Sequence, residues 1–234
     1  MTSPQNNTKT PFVITIDGLA SSGKGTLATR LGSLYDIAVL DTGLLYRLVG
    51  LAAIRQGIAD PVYEKDVVLI AREKMAHLSP DDLKHPDLRG PDAANGASIV
   101  AAMPLVRREL NQYQRDFAQC PPPLASGTPA RGAILDGRDI GTVIWPDAPI
   151  KFFVTATPEV RAQRRVRYLS ERGFPADYET ILKDIKERDH RDTTRATAAT
   201  IPAPDAHVLD TSDLTIEKVL GMARIIIDHY LHRL

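Results

Sequence analysis

The fold is decided by the stretch Phe12-Val-Ile-Thr-Ile16-Asp17-Gly18-Leu-Ala-Ser-Ser-Gly23-Lys24-Gly25-Thr26-Leu27. Its first five residues are an apolar, β-branched run that ends at a turn, which predicts a strand. The leucines at 27, 31 and 34 then recur at helical spacing. A strand, a glycine-rich turn and a helix in this order form the setting in which backbone amides bind a phosphate. The stretch therefore predicts a phosphate-binding loop.

The chemistry of this loop follows from its residue types. Glycines allow successive backbone N–H groups to turn toward an anion, and the start of the helix adds positive potential. Lys24 supplies a mobile charge for the β- and γ-phosphates of a nucleotide. Gly25 stands where the general pattern has a hydroxyl residue, and Thr26 comes one position later, a form seen in nucleoside-monophosphate kinases. The alternative is a glycine-rich turn with a surface lysine, which the matching strand, spacing and helix disfavour.

Strand and helix patterns alternate through the rest of the chain. Further strands are predicted at Ile37–Leu40, Ala133–Leu135, Ile150–Val154 and His207–Leu209, each followed by a loop and a helical pattern. Thr157 before Pro158, Asp177 and Thr215 are predicted to cap three of the helices. This alternation predicts an α/β fold with a five-stranded parallel sheet flanked by helices. Residues 57–97 interrupt the rhythm with four prolines and no strand, and we interpret them as an insertion over one edge of the sheet.

Composition excludes several classes of protein. The 29 Lys and Arg balance the 29 Asp and Glu, so the chain lacks the basic field of a protein that coats nucleic acid. One cysteine, Cys120, permits no intrachain disulfide, and no apolar run approaches the ~20 residues that span a bilayer. The polar residues 1–11 do not resemble a signal peptide and are predicted to be flexible. We expect a cytoplasmic monomer with no membrane or nucleic-acid partner.

Arginines recur where the sheet is predicted to bind ligands. Arg47 and Arg138 come after the second and third strands, so each would lie at the carboxyl edge, where open parallel sheets hold ligands. Arg188, Asp192 and Arg195 share one helical face. Residues 161–195 hold ten Lys and Arg against seven Asp and Glu, a surplus suited to a segment that closes over a polyphosphate. The plainer interpretation of each group is a set of surface ion pairs.

Together these motifs resemble the bacterial-type cytidylate kinases (CMP/dCMP kinases), P-loop nucleoside-monophosphate kinases, in a short-insert form. Besides the phosphate loop, the resemblance rests on Leu40-Asp-Thr-Gly-Leu-Leu-Tyr-Arg47, Ala97-Ser-Ile-Val-Ala-Ala-Met-Pro-Leu-Val-Arg107, Leu135-Asp-Gly-Arg-Asp-Ile-Gly-Thr142, Pro146-Asp-Ala-Pro149 and Ile185-Lys-Glu-Arg-Asp-His-Arg-Asp192. It extends from about Val13 to the final helix. It implies one P-loop kinase domain over residues 12–234, with an acceptor-binding insertion at about 57–107 and a lid with an acceptor-contacting helix at about 157–195.

The resemblance also implies an activity and its residues. The activity is transfer of a phosphoryl group from ATP to CMP or dCMP with Mg²⁺, and we assign no protein ligand to the metal. Lys24, Arg138 and Asp139 would be catalytic. ATP would be bound by Gly18, Leu19, Ala20, Ser21, Ser22, Gly23, Lys24, Gly25, Thr26, Arg161, Arg164 and Arg165. CMP would be bound by Thr42, Tyr46, Arg47, Ser98, Arg107, Arg138, Asp139, Arg188, Asp192 and Arg195, with Ser98, Arg107 and Arg195 reading the cytosine and Arg188 and Asp192 contacting the sugar.

Two departures and two rival functions qualify this expectation. Between His77 and Asn95 the chain has a short proline-bearing connection where longer members carry a small sheet, and Thr42 replaces a common serine.

One rival function is that of a kinase for UMP or for a non-nucleotide metabolite. The other is a non-catalytic P-loop switch or binding module. A guanine-specific switch would need an Asn-Lys-x-Asp type segment to read the base, and the sequence contains none.

Overall fold

The protein is built on one five-stranded parallel sheet. The computed structural model describes residues 12–194 and 198–233. The strands are β1 (Val13–Asp17), β2 (Ala38–Asp41), β3 (Ala133–Asp136), β4 (Ile150–Thr155) and β5 (His207–Asp210). Their spatial order is β2-β3-β1-β4-β5, and all four pairings are parallel. The predicted five-stranded parallel sheet and α/β fold are therefore confirmed, whereas the prediction for residues 1–11 lies outside the described residues.

Strand β1 is central because it is apolar along most of its length. All five of its residues are buried, and it is paired with β3 on one side and β4 on the other. The register aligns Ile16 with Asp136, and Asp136 with Asp41. Because parallel strands end at the same edge, the carboxylates that terminate β1, β2 and β3 lie at one edge of the sheet. This edge is the one at which the phosphate loop begins.

Eight α-helices surround the sheet within the described residues. They are α1 (Lys24–Tyr35), α2 (Thr42–Arg55), α3 (Glu64–Ala76), α4 (Pro91–Val100), α5 (Pro104–Gln119), α6 (Pro158–Ser170), α7 (Tyr178–Thr194) and α8 (Ile216–Leu231). The predicted caps are confirmed. The hydroxyls of Thr157 and Thr215 accept hydrogen bonds from the amides three residues later, and the Asp177 carboxylate does so from Thr180. No helix of the described residues has the length and apolarity that a membrane crossing demands.

Residues 57–97 are more regular than the sequence indicated. They contain helix α3 and most of α4, together with three short 3₁₀ turns at Pro61–Tyr63, Asp82–Lys84 and Pro86–Arg89. The prolines at 61, 86 and 91 occupy the first positions of these elements, where a missing N–H costs no helical hydrogen bond. Proline marks the starts of helices here. Interpreting it as a breaker was wrong for this segment.

The connection after β3 also differs from the expected loop and helix. It is a single π turn, Ile140–Ile144, whose first two amides donate to the buried carboxylate of Asp17 at 2.8 and 2.7 Å. The first amides of a helical turn have no acceptor within the turn, and the Asp17 carboxylate supplies one for each of these two amides. The turn is thereby held against the end of β1. It brings Asp139, the residue before it, to the carboxyl edge of the sheet.

Two main hydrophobic cores lie on this frame. One is formed by the sheet with α1 and α8, and the other by α2, α3 and α5 with Leu40 of β2. Helices α2 and α4 approach so closely that a Cβ on Gly50 would lie 2.2 Å from the carbonyl carbon of Gly96. Only glycine fits at such a crossing. The crossing brings α4, which carries Ser98, against α2, which carries Tyr46 and Arg47.

Candidate active site

One large cavity opens at the carboxyl edge of the sheet. Its volume is about 1190 Å³, and its walls come from the phosphate loop, the ends of β2 and β3, and helices α2, α4, α6 and α7. This is the location at which open α/β sheets bind ligands. The cavity brings together nearly all of the side chains that the sequence singled out.

The phosphate loop has the backbone that the sequence predicts. Gly18 has a φ of 140°, and a Cβ at that position would lie 2.0 Å from the carbonyl oxygen of Val154 on the neighbouring strand. Only glycine can therefore take the chain out of β1 here. Ser21 has a φ of 61°, a conformation that few L-residues adopt. The strain is localised at the loop, as is common at functional sites.

Lys24 is buried at the start of α1, next to a carboxylate. Its Nζ donates to the carbonyl oxygen of Leu19 at 3.0 Å and lies 3.8 Å from Oδ1 of Asp136. Burial lowers the pKa of Lys24 from its ordinary value and raises that of Asp136. Both side chains thus lack part of the solvation that their charges would have in water. A polyphosphate beside Lys24 would add negative charge and favour the protonated form of the lysine.

Several arginines line the same cavity. Burial and the nearby charge of Arg165 lower the pKa of Arg47 to about 10. Burial and the nearby charge of Arg138 lower the pKa of Arg188 to about 10. Asp192 carries the opposing charge, since its Oδ2 lies 3.4 Å from Nε of Arg138 and 3.6 Å from Nε of Arg188. Arg188 Nε has no hydrogen-bond partner among the described residues. A partly buried group of like charges with an open donor favours an anionic ligand.

A second buried ion pair lies next to this group. Arg107 of α5 donates to the carboxylate of Asp139, and both side chains are less than a tenth exposed. The same guanidinium lies over the ring of Tyr46, 5.7 Å from its centroid. The hydroxyl of Thr42 donates to the carbonyl oxygen of Asp136 at 2.8 Å. These contacts fix polar side chains from α2, α5 and the β3 connection around one wall of the cavity.

Comparison with known proteins identifies the family. The family model described as cytidylate kinase matches residues 14–228. A cytidylate kinase of Paramagnetospirillum magneticum is 51% identical over 211 residues, which cover 90% of this chain and 95% of that protein. Cytidylate kinases of Rhodospirillum rubrum and a Caulobacter species are 48% and 45% identical, each over 93% of this chain and over 98% and 94% of those proteins. The chain belongs to the cytidylate kinase family.

The structure brings most of the predicted residues of a cytidylate kinase to the cavity. Its walls include, from the predicted sets, Ala20, Ser21, Ser22, Gly23, Lys24, Gly25, Thr26, Thr42, Tyr46, Arg47, Ser98, Arg107, Arg138, Asp139, Arg164, Arg165, Arg188 and Asp192. Gly18 and Leu19 lie behind this wall and shape the loop. Arg195 lies outside the described residues. The individual roles of these residues in binding stay predictions.

Arg161 is a predicted ATP contact whose side chain the structure does not bring to the cavity. Its side chain is 1% exposed, and its guanidinium binds the carboxylate of Asp189 on α7. Helix α6 contributes Arg164 and Arg165 to the cavity instead. Three positive charges in one stretch thus serve two different purposes, which their spacing alone does not reveal.

Sequence reasoning also missed residues that line the site. Asp41 and Asp136 end β2 and β3 at the cavity, and Arg89 lies 3.7 Å from the Asp41 carboxylate. Thr211 and Leu214 follow β5 and line the cavity together with Arg164 of α6. For Asp41 and Asp136 a sequence feature was available, because each is the first polar residue after a predicted strand. No comparable feature marks Arg89.

Proposed function

We propose that this chain transfers the γ-phosphoryl group of ATP to CMP or dCMP, forming ADP and CDP or dCDP, inside the cavity. The observation that carries the proposal is that one cavity is lined both by the phosphate loop with Lys24 and by a group of three arginines, Arg47, Arg138 and Arg188. Two phosphate-bearing ligands held at one sheet edge are what a nucleoside-monophosphate kinase requires. Membership of the cytidylate kinase family supports CMP as the acceptor.

The donor triphosphate is assigned to the phosphate loop. Helix α1 begins at Lys24, so its first amides and the loop amides offer hydrogen bonds to phosphate oxygens. Arg164 lies above this loop, and it donates to the hydroxyl and carbonyl oxygens of Thr211 at 2.9 and 2.7 Å. The base of ATP would lie between this arginine and Leu214, both of which line the cavity.

The acceptor monophosphate is assigned to the arginine group. Arg47 is held in place by a 2.8 Å hydrogen bond to the carbonyl oxygen of Leu88, and Arg138 by its ion pair with Asp192. Positions fixed before the ligand arrives cost less side-chain entropy on binding. Bound phosphate would also relieve the repulsion that lowers the pKa of Arg47 and Arg188. Charge-assisted contacts of this kind are among the strong hydrogen bonds in proteins.

The cytosine is assigned to the wall formed by Ser98 and Arg107. Arg107 is less than a tenth exposed and is oriented by Asp139 and by the ring of Tyr46. A fixed donor that is largely removed from water favours a base with a matching acceptor and disfavours one that leaves it unpaired. Arg195, predicted to share this task, stays a prediction.

The chemistry needs positioning more than proton transfer. An oxygen of the CMP phosphate attacks the γ-phosphorus in line, and the bond from that phosphorus to the ADP oxygen breaks. The attacking oxygen already carries negative charge, so no strong general base is required. Lys24 and Arg138 would neutralise the charge that accumulates on the transferred group. Closure of α6 and α7 would exclude water, which would otherwise accept the phosphoryl group.

The residues present fit a magnesium ion that is held mainly by the nucleotide. Among residues 12–194 and 198–233, no group of three or more His, Cys, Asp or Glu could hold a metal by itself. Asp136 and the exposed Thr26 both line the cavity next to the loop. A Cβ on Gly25 would lie 3.4 Å from Oδ2 of Asp136, so glycine leaves that carboxylate an open approach to the loop. When bound, Mg²⁺ would neutralise phosphate charge, with Asp136 and Thr26 completing its shell through water.

The test is ADP release from ATP with and without CMP. We expect release to depend on CMP, to yield one CDP for each ADP, and to stop when EDTA removes Mg²⁺. ATP hydrolysis that proceeds equally without CMP would contradict the proposal and favour the P-loop switch. The cytoplasmic location and the monomeric state also stay predictions.

A further inference from the structure

Arg161 is the largest polar side chain that the fold buries completely. It is 1% exposed, and its guanidinium has partners on three segments. Nε donates to the carbonyl oxygen of Ala156 at 2.8 Å, and Nη1 donates to that of Ala20 at 3.4 Å. Nη1 and Nη2 together bind both carboxylate oxygens of Asp189, with a distance of 2.9 Å from Nη1 to Oδ1. A bidentate pair of this kind fixes orientation as well as distance.

The contact with Ala20 bears on the phosphate loop. Arg161 binds the carbonyl oxygen of Ala20, and Arg164, one turn later on α6, binds that of Ser22 at 3.3 Å. In a trans peptide the C=O and N–H groups point in opposite directions, and the described residues contain no cis peptide. The amides of Ser21 and Gly23 therefore point away from α6. Ser21, with its φ of 61°, depends on such surrounding contacts to keep its conformation.

The contact with Asp189 bears on the other nucleotide site. Asp189 lies on α7 between Arg188 and Asp192, which line the acceptor side of the cavity. One buried ion pair thus connects the loop assigned to ATP with the helix assigned to CMP. The arrangement of either partner constrains the other, because the pair cannot separate without leaving a charge buried and unpaired.

We propose that Arg161 and Asp189 form a positioning pair that couples the two nucleotide sites, so that either nucleotide strengthens the binding of the other. The inference rests on the proposed placement of the acceptor against α7. Neither residue lines the cavity, so the pair would act through the loop and through α7 and not by touching a nucleotide. A ligand that fixes the position of α7 also fixes Asp189. Asp189 in turn holds Arg161, and Arg161 orients the peptide groups of the phosphate loop.

A purely structural role for the pair makes a different prediction. Arg161 and Asp189 would then only hold α6 against α7, and their loss would lower stability without changing the relation between the two ligands. The chain offers a matched control, because Glu159 of α6 and Lys186 of α7 also form an ion pair, at 3.3 Å, between the same two helices. That pair is about half exposed and does not reach the phosphate loop. Lys186→Gln should leave the coupling unchanged.

The test is calorimetric binding of CMP with and without a saturating non-hydrolysable ATP analogue and Mg²⁺. In the native protein the analogue should lower the Kd for CMP by about fivefold or more. CMP should lower the Kd for the analogue by the same factor. In Asp189→Asn this factor should fall below about twofold, while the affinity for each nucleotide alone changes less than about threefold. The double variant Arg161→Met, Asp189→Leu removes both charges together, which avoids an unpaired buried charge, and its coupling factor should also fall below about twofold.

The following results would overturn the proposal. Coupling that survives in Asp189→Asn or in the double variant would overturn the proposal, as would loss of coupling in Lys186→Gln. Native protein that binds both ligands without mutual tightening would overturn the inference alone. Native protein that does not bind CMP would overturn the proposed function and the inference with it. If thermal unfolding shows that neither variant folds, the pair is a folding contact and the proposal fails.

Discussion

Oδ2 of Asp192 lies 3.4 Å from Nε of Arg138, which joins helix α7 to the end of strand β3 across the acceptor side of the cavity. The same oxygen lies 3.6 Å from Nε of Arg188, one helical turn earlier on α7. One buried carboxylate therefore sets the positions of two arginines from different parts of the fold. The sequence pattern had placed Arg138 and the Arg188–Asp192 stripe in separate groups, and the structure unites them.

Replacing Asp192 should weaken acceptor binding specifically. We expect Asp192→Ala to raise the Kd for CMP about tenfold or more, because a charge-assisted contact is worth roughly 1.5–3 kcal/mol and both arginines lose their orienting partner. Affinity for ATP should change little. Calorimetry with each nucleotide measures both dissociation constants. Asp192→Asn removes the charge but keeps the side-chain volume, so it shows which of the two matters. If Asp192→Ala lowers only the melting temperature, the carboxylate is a structural ion-pair member.

Loss of Arg138 should affect the chemical step as well as binding. Arg138 follows the end of β3, and its guanidinium is near enough to Lys24 that its charge lowers the pKa of Lys24, in addition to the larger effect of burial. We expect Arg138→Ala to lower kcat and to raise the KM for CMP, because a contact to the transferred group is strongest in the transition state. Steady-state kinetics separates the two effects. A raised KM with unchanged kcat would restrict Arg138 to ground-state binding.

Lys24 should be essential for turnover and dispensable for folding. We expect Lys24→Ala to reduce kcat by about a hundredfold or more, the scale found when an oriented electrostatic group is removed from an active site. Circular dichroism should show a native fold. Lys218→Ala, at an exposed position near the start of α8, is the matched control and should retain full activity. Near-normal kcat in Lys24→Ala would remove the phosphate-loop assignment.

Asp17 should make stability depend on pH. Burial raises its pKa to about 6, above the ordinary 3.8, with Asp139 adding to the rise and Lys24 and the two amide bonds opposing it. The folded state thus binds the proton more tightly than the unfolded state. The resulting stabilisation is complete below about pH 4 and is lost as pH rises through about 6.

Urea unfolding at pH 5 and pH 7.5 measures this effect. Through Asp17 the native protein should gain about 1 kcal/mol in unfolding free energy at the lower pH. Asp17→Asn cannot titrate and should lack that gain, although the loss of one amide bond lowers its stability at both values. An equal gain in native and variant protein would show that Asp17 keeps its charge at pH 5.

The sheet, the phosphate loop and three helix starts could be predicted from the sequence because each depends on neighbouring residues. An apolar run forms β1, and a hydroxyl before Pro158 begins α6. Helices α3 and α4 were not predicted, because the prolines at 61 and 91 interrupt the alternation of strand and helix patterns. A proline in the first turn and a proline that breaks a helix are distinguished only by whether the residues after them continue a helical pattern.

The residues of the site could be predicted from the sequence, but their interaction partners could not. Lys24, Arg47 and Arg138 could be placed because each lies shortly after a strand, at the sheet edge. The partners of Arg161 and Asp17 could not, since Asp189 is 28 residues from the first and the amide of Ile140 is 123 residues from the second. Such pairs form only when the whole fold is assembled. Arg161, an expected ATP contact, is buried away from the cavity, and we propose a positioning role for it.

The choice of a cytidine monophosphate as acceptor is the central claim. The most direct measurement is kcat/KM for ADP release with CMP, dCMP, UMP, AMP and GMP under identical conditions. We predict that CMP and dCMP exceed AMP and GMP by at least about a hundredfold, because Arg107, fixed by Asp139, would be left unpaired by a mismatched base. A preference for AMP as acceptor would contradict the claim, although the protein would still be a phosphoryl-transfer enzyme.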